Sequence, residues 1–128
     1  MNGPVPLRHL LIEAARAFNA GHYFEAHELL EECLDVVPDE LWELFVGLIQ
    51  IAVGYHKTTQ QLWSGSRRML ERGLEKLMGF PAQAAGLNLE VLRQRVRDDI
   101  ERLRAGDFDA AVCARQPPRL QPLNLRID

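Results

Sequence analysis

Between Leu44 and Tyr55 the chain runs Leu-Phe-Val-Gly-Leu-Ile-Gln-Ile-Ala-Val-Gly-Tyr, with Gln50 as its one strongly polar interruption. A helix that is apolar almost all round is covered on most sides by neighbours. The run is too short to cross a bilayer, so the covering must come from protein. That requirement makes the rest of the chain the wrapping of one central helix.

The wrapping also reads as helical. No segment alternates β-branched and polar residues, so a sheet has no support. Leu7, Leu10, Leu11, Ala14 and Phe18 recur at helical spacing after Pro6, and Gly21 ends that helix. A second helix is expected over about 22–37, with Tyr23, Ala26, Leu30, Cys33, Leu34 and Val37 as its core stripe. Pro38 then opens a third over about 38–61, with Asp39 and Glu40 at its positive end. Gly47 and Gly54 lie seven apart on one face of it, which predicts close approach by another backbone. A fourth helix over about 65–78 buries Ser66, Leu70, Gly73, Leu74 and Leu77. After a linker over 79–86, Asn88 caps a fifth with the stripe Leu89, Leu92, Val96, Ile100 and Leu103. Pro117, Pro118 and Pro122 forbid a continuous helix near the end. The fold class is therefore all-α: one domain over 1–128, a compact bundle of about five helices with 113–128 as an extended tail packed on it.

A weak repeat runs through this pattern. Ala26, Leu30, Cys33 and Leu34 match Ser66, Leu70, Gly73 and Leu74 at an offset of 40, each set belonging to the second helix of a hairpin. The turn around Gly21-His22-Tyr23-Phe24 is tetratricopeptide-like. Gly106-Asp107-Phe108-Asp109-Ala110-Ala111 echoes it, with no helical pattern read after it. A chain this short lacks the three good repeats a solenoid needs.

Composition excludes some partners. With 47% hydrophobic and 26% charged residues the chain is an ordinary globular one. The net charge of −3 gives no electrostatic footprint for nucleic acid, and no span implies a membrane. The charge is unevenly spread, however. Residues 1–60 carry three Lys/Arg against nine Asp/Glu, net −6, and residues 61–128 carry twelve against nine, net +3. The first reading of this is ordinary solvated helix faces; halves that dock on each other, or a homo-oligomer, are the other. Two lone cysteines and no secretory leader make a reduced, cytoplasmic setting the expectation. The alternating Arg93, Arg95, Arg97, Arg102 and Arg104 with Asp98, Asp99 and Glu101 read as a solvated surface.

Chemistry concentrates in Phe24-Glu25-Ala26-His27-Glu28-Leu29-Leu30-Glu31. His27 and Glu31 stand one helical turn apart and project from one side, on the flank of the apolar stripe. His56, just after the buried run, is a candidate third donor. Two imidazoles and a carboxylate suit Zn²⁺ or Fe²⁺ with open positions for water or substrate. Phe24, Glu28, Gln50 and Tyr55 are the candidate pocket residues around them. The same pair also reads as a hydrogen bond satisfying half-buried groups, and Gln50 as a tether between helices. Whether there is turnover, the sequence leaves open.

Phe18-Asn19-Ala20-Gly21, Tyr23 to Glu31, Gly47 to Val53, Tyr55-His56, Gly65-Ser66 and Pro117-Pro118-Arg119-Leu120 together resemble the small bacterial and archaeal proteins grouped as domain of unknown function 309. The resemblance implies an all-helical bundle without an established activity. It also implies a motif of His, three residues, Glu, two residues, then Trp or Tyr, associated with metal binding. His27 and Glu31 fit its first two positions, whereas Leu34 departs from the aromatic one. Two functions follow as expectations: metal or small-ligand binding, with metal-dependent hydrolysis as its catalytic form, or a helical-repeat module that docks a protein.

Overall fold

A computed structural model of the chain describes residues 6–122. It is an all-α bundle of six helices: α1 Leu7–Asn19, α2 Tyr23–Cys33, α3 Trp42–Thr59, α4 Trp63–Leu77, α5 Leu89–Ala105 and α6 Ala110–Arg115. A 3-10 turn, Asp39–Leu41, precedes α3. Among the described residues, no helix is long and apolar enough to cross a membrane.

Helix α3 is the centre the sequence demanded. Leu44, Phe45, Leu48, Ile51, Ala52 and Tyr55 are all buried, with α2 on one side and α4 on the other. The α3–α4 seam is the tightest, and its cause is glycine. A Cβ on Gly73 would stand 2.6 Å from Ile51 Cγ1 and 2.7 Å from the Gly47 carbonyl oxygen. One on Gly47 would stand 2.8 Å from Leu77 Cδ1. Each glycine gives up helix propensity, and in return the two backbones pack where side chains would hold them apart.

The turn before α2 recurs twice. Gly21 (φ 83°), Gln61 (φ 60°) and Gly106 (φ 75°) all sit in the left-handed region. The next amide donates to the carbonyl five residues back in each case: His22 to Ala17, Leu62 to Lys57 and Asp107 to Arg102, at 2.8, 3.0 and 2.8 Å. The offset of 40 is thus a recurrence of backbone geometry.

Several expectations are corrected. Pro38 leads into the 3-10 turn, and α3 begins only at Trp42. Helix α2 stops at Cys33, and 34–37 continue as turns. The linker over 79–86 contains part of a two-stranded hairpin, Gln83–Ala84 (β1) with Leu87–Asn88 (β2). The segment after Gly106 is helical after all: Asp109 Oδ1 accepts from the amides of Ala111 and Val112, at 2.9 and 3.1 Å, and starts α6. Cys113 to Arg115 therefore belong to a helix, and the extended tail begins beyond them.

The tail does pack on the bundle. Leu120 is buried, its amide donating to Asn19 Oδ1 at 2.7 Å while its carbonyl accepts from Asn19 Nδ2 at 3.1 Å. Leu87 bridges to Pro122. The tail beyond residue 122 lies outside the described residues.

Candidate functional site

The turn at Gly21 releases the chain into α2 with Tyr23 pointing inward and Phe24 outward. Tyr23 stacks on Tyr55 at a centroid distance of 5.5 Å and meets Phe18 edge-on at 5.4 Å. That anchor fixes the rotation of the whole helix, and so decides where His27 and Glu31 lie.

They lie together. His27 Nε2 donates to Glu31 Oε1 at 2.6 Å, a short charge-assisted bond. The imidazole is 22% exposed and the carboxylate 54%. His27 Nδ1 is shielded from solvent and has no partner among the described residues. Phe24 is 53% exposed, and its ring sits 5.5 Å from that of His27 and 5.5 Å from that of His56. Phe24, His27, Glu31 and His56 thus form one constellation on the α2–α3 edge.

The other pocket candidates sit elsewhere. Tyr55 is fully buried, and its hydroxyl is committed to Asp99. Gln50 lies, on the α3 wheel, about 60° from Gly47 and about 40° from Gly54, the residues that face α4; His56 is on the opposite side. Gln50 Oε1 is shielded and unpartnered among the described residues. Glu28 is exposed on the outer face of α2, along a shallow groove of about 530 Å³ that Glu25, Leu29, Glu31 and Glu32 also line. Leu34 ends α2 half-buried against the core.

As a metal centre the constellation is incomplete. A protein-held Zn²⁺ has three or four protein ligands. Among the described residues, no three His, Cys, Asp or Glu side chains are grouped so as to hold an ion. The Phe24 ring contacts both imidazoles, and Glu31 already takes the Nε2 side of His27, leaving only Nδ1 unpartnered among the described residues. The residues present fit a hydrogen-bonded dyad better than a coordination sphere.

A second polar centre was missed by sequence reasoning. Asp99, taken for a surface residue, is 1% exposed. Its Oδ2 accepts from the Tyr55 hydroxyl at 2.6 Å and from Arg95 Nε at 2.8 Å, and its Oδ1 from Arg102 Nη1 at 2.7 Å. Arg95 Nη2 also reaches Cys113 Sγ at 3.6 Å, joining α5 to α6. Burial, then the charge of Asp99, pushes the Tyr55 phenol well above its usual range. The same two causes push up the Cys113 thiol. Cys33 is pushed up to about 12, by burial and then by Glu32, so neither cysteine is an activated thiolate. Arg93, also taken for surface, is 6% exposed and donates to the carbonyls of Leu77 and Phe80 at 3.1 and 2.8 Å, closing the end of α4. A signal existed: Asp99 falls on the stripe of Leu92, Val96 and Leu103, where a carboxylate has to be buried.

Comparison with known proteins gives a family match and no activity. The family described as a domain of unknown function, DUF309, matches residues 11–69, so the resemblance read from the residues holds over that segment. The match takes in most of α1, all of α2 and α3, and the first half of α4, and leaves α5, α6 and the tail outside. An uncharacterised protein of Aquifex aeolicus (strain VF5) is 29% identical over 85 residues, 66% of this chain. The chain spans about a quarter of that relative's length, 26%.

Proposed function

We propose that the α2–α3 edge binds a small organic cation or a ligand rich in hydrogen-bond donors. The observation that carries this reading is the exposed Phe24 ring held between two imidazoles beside the 2.6 Å His27–Glu31 pair. A large aromatic side chain more than half exposed beside a half-buried ionisable pair leaves a ring face and an acid open to the same small ligand. Phe24 offers a face to a cation. Glu31, oriented by His27, offers the free edge of its carboxylate, and Glu25, Glu28 and Glu32 make the surrounding surface acidic. Nothing in this arrangement assigns turnover.

Calorimetric titration with a panel of amines and guanidines tests the reading. Binding that is lost in Glu31→Gln and in Phe24→Ala, with folding intact, is expected. No binding by the whole panel overturns it. Elemental analysis of tag-free protein separates the metal alternative: stoichiometric Zn or Fe that His27→Ala abolishes replaces the ligand reading with a metal one.

The second reading is a helical module that docks a protein. The thrice-repeated turn favours it. Its groove would lie on the first helices of the hairpins, α1 and α3. There Tyr55 is covered by α5 through Asp99, and Asn19 by the tail through Leu120. That covering is why the ligand reading is preferred.

A further inference from the structure

Along helix α3 runs one apolar strip that stays partly open to solvent. Taking Gly47 and Gly54, which face α4, as the zero of the α3 wheel, Tyr55 points about 80° away into the core and His56 about 180° away toward α2. Trp42, Val46, Ile49 and Val53, ending at His56, fill the next arc of roughly 80°. Their spacing is 4-3-4-3, the a/d spacing of a helix that packs on another helix. All five are half-buried or exposed, Trp42 at 44%. With Phe24 at its far end, the strip runs the length of α3.

The walls on either side carry opposite charge. On the helix wheel α2 turns Glu28 and Glu31 to the side of the strip, and α4 turns Arg68 and Arg72, with Lys57 at the end of α3. Among the described residues, Glu28, Arg68 and Arg72 enter no ion pair. Helices α2 and α4 both run antiparallel to α3, since Phe24 meets His56 while Gly54 meets Leu70 and Gly47 meets Leu77.

We infer that this face binds a second copy of the chain, α3 against α3, about a two-fold axis parallel to the helices. That axis lays the acidic wall of each copy on the basic wall of the other. The alternative axis, perpendicular to the helices, would oppose acid to acid and base to base, so the charges select the first. At about 1.5 Å per residue and about 10 Å width, α2, α3 and α4 together present roughly 660 Å², a little under the ~800 Å² each partner contributes to a standard interface. The inference needs no ligand, but the interface takes in Phe24, Glu28 and Glu31 of the proposed ligand site and would cover it.

Sedimentation velocity without added ligand tests it. The protein is expected to be a dimer at roughly 50 μM in low salt and to dissociate at least tenfold more readily as the screening length falls to about 3 Å near 1 M salt. Glu28→Lys with Glu31→Lys, or Arg68→Glu with Arg72→Glu, should each weaken dimerisation at least tenfold. All four together should restore it. Val53→Lys should abolish it, with circular dichroism confirming the fold. A native protein that stays monomeric at that concentration overturns the proposal. So does a dimer indifferent to both reversals, which uses another face.

Discussion

Replacing Asp99 by Asn removes one charge and almost no volume from the centre of the α3–α5 contact, and its cost can be worked from the bonds it weakens. The Tyr55 hydroxyl is wholly buried and keeps an acceptor in Asn, but a neutral one. Hydrogen bonds to charged groups contribute about 1.5–3 kcal/mol against about 0.5–1.5 for neutral ones, so that bond loses roughly 1 kcal/mol. Arg95, with 24% of its side chain exposed, loses a paired charge at a partly buried site, roughly another 1–2 kcal/mol. Arg102 is half exposed and turns to water at little cost. The sum is about 2–3 kcal/mol. Urea denaturation should show the midpoint falling with the slope unchanged. Asp98→Asn, one residue away on the exposed face, should stay within about 0.5 kcal/mol. A cycle with Tyr55→Phe should return a coupling of about 1 kcal/mol. A cost for Asp99→Asn no larger than that of Asp98→Asn, or a coupling near zero, would refute the account of the network.

Alkaline pH probes the same network. The Tyr55 phenol is held up by burial and Asp99, so the native state resists its ionisation while the unfolded chain ionises near its ordinary value of about 10. The contribution is complete below that value and is lost as pH rises above it toward the folded value; an unfolding titration should show stability falling above about pH 10, less steeply in Tyr55→Phe. Gly73→Ala should destabilise by about 1–2 kcal/mol, the overpacking against Ile51 and the Gly47 carbonyl exceeding the gain in helix propensity; a stabilised variant would show that the α3–α4 seam is looser than described. Gln61→Gly should stabilise by roughly 0.5–1 kcal/mol, because Gln61 holds the left-handed position that glycine fills at 21 and 106. An unchanged melting temperature would count against strain there.

The helices were legible where apolar spacing was regular. Gly47 and Gly54 announced a close backbone neighbour, and Asn88 announced the start of α5, whose Val91 amide it accepts at 3.2 Å. The His27–Glu31 pair formed because helix geometry alone brings positions one turn apart together. Whatever depended on contacts between distant segments was not legible. The alternating charges of α5 look the same on paper whether Asp99 faces water or Tyr55, and only the position of α3 across the bundle decides. Helix α6 is masked in the sequence by the prolines that follow it, although Asp109 before Ala-Ala-Val-Cys is a sound cap. Gln50 and His56 stood near each other along the chain, but six residues turn a helix by about 240°, and they part to opposite neighbours.

The bond from Tyr55 to Asp99 crosses the border of the family segment, which ends at residue 69. A fragment trimmed to that border would keep the phenol and lose its acceptor, together with the helix that shields the aromatic trio of Phe18, Tyr23 and Tyr55. The shared segment is therefore a half-shell rather than a kernel. Any relative that carries it must supply its own counterpart of α5, a lid with an acid at the right turn, or else swap the tyrosine for a residue content to lie against grease.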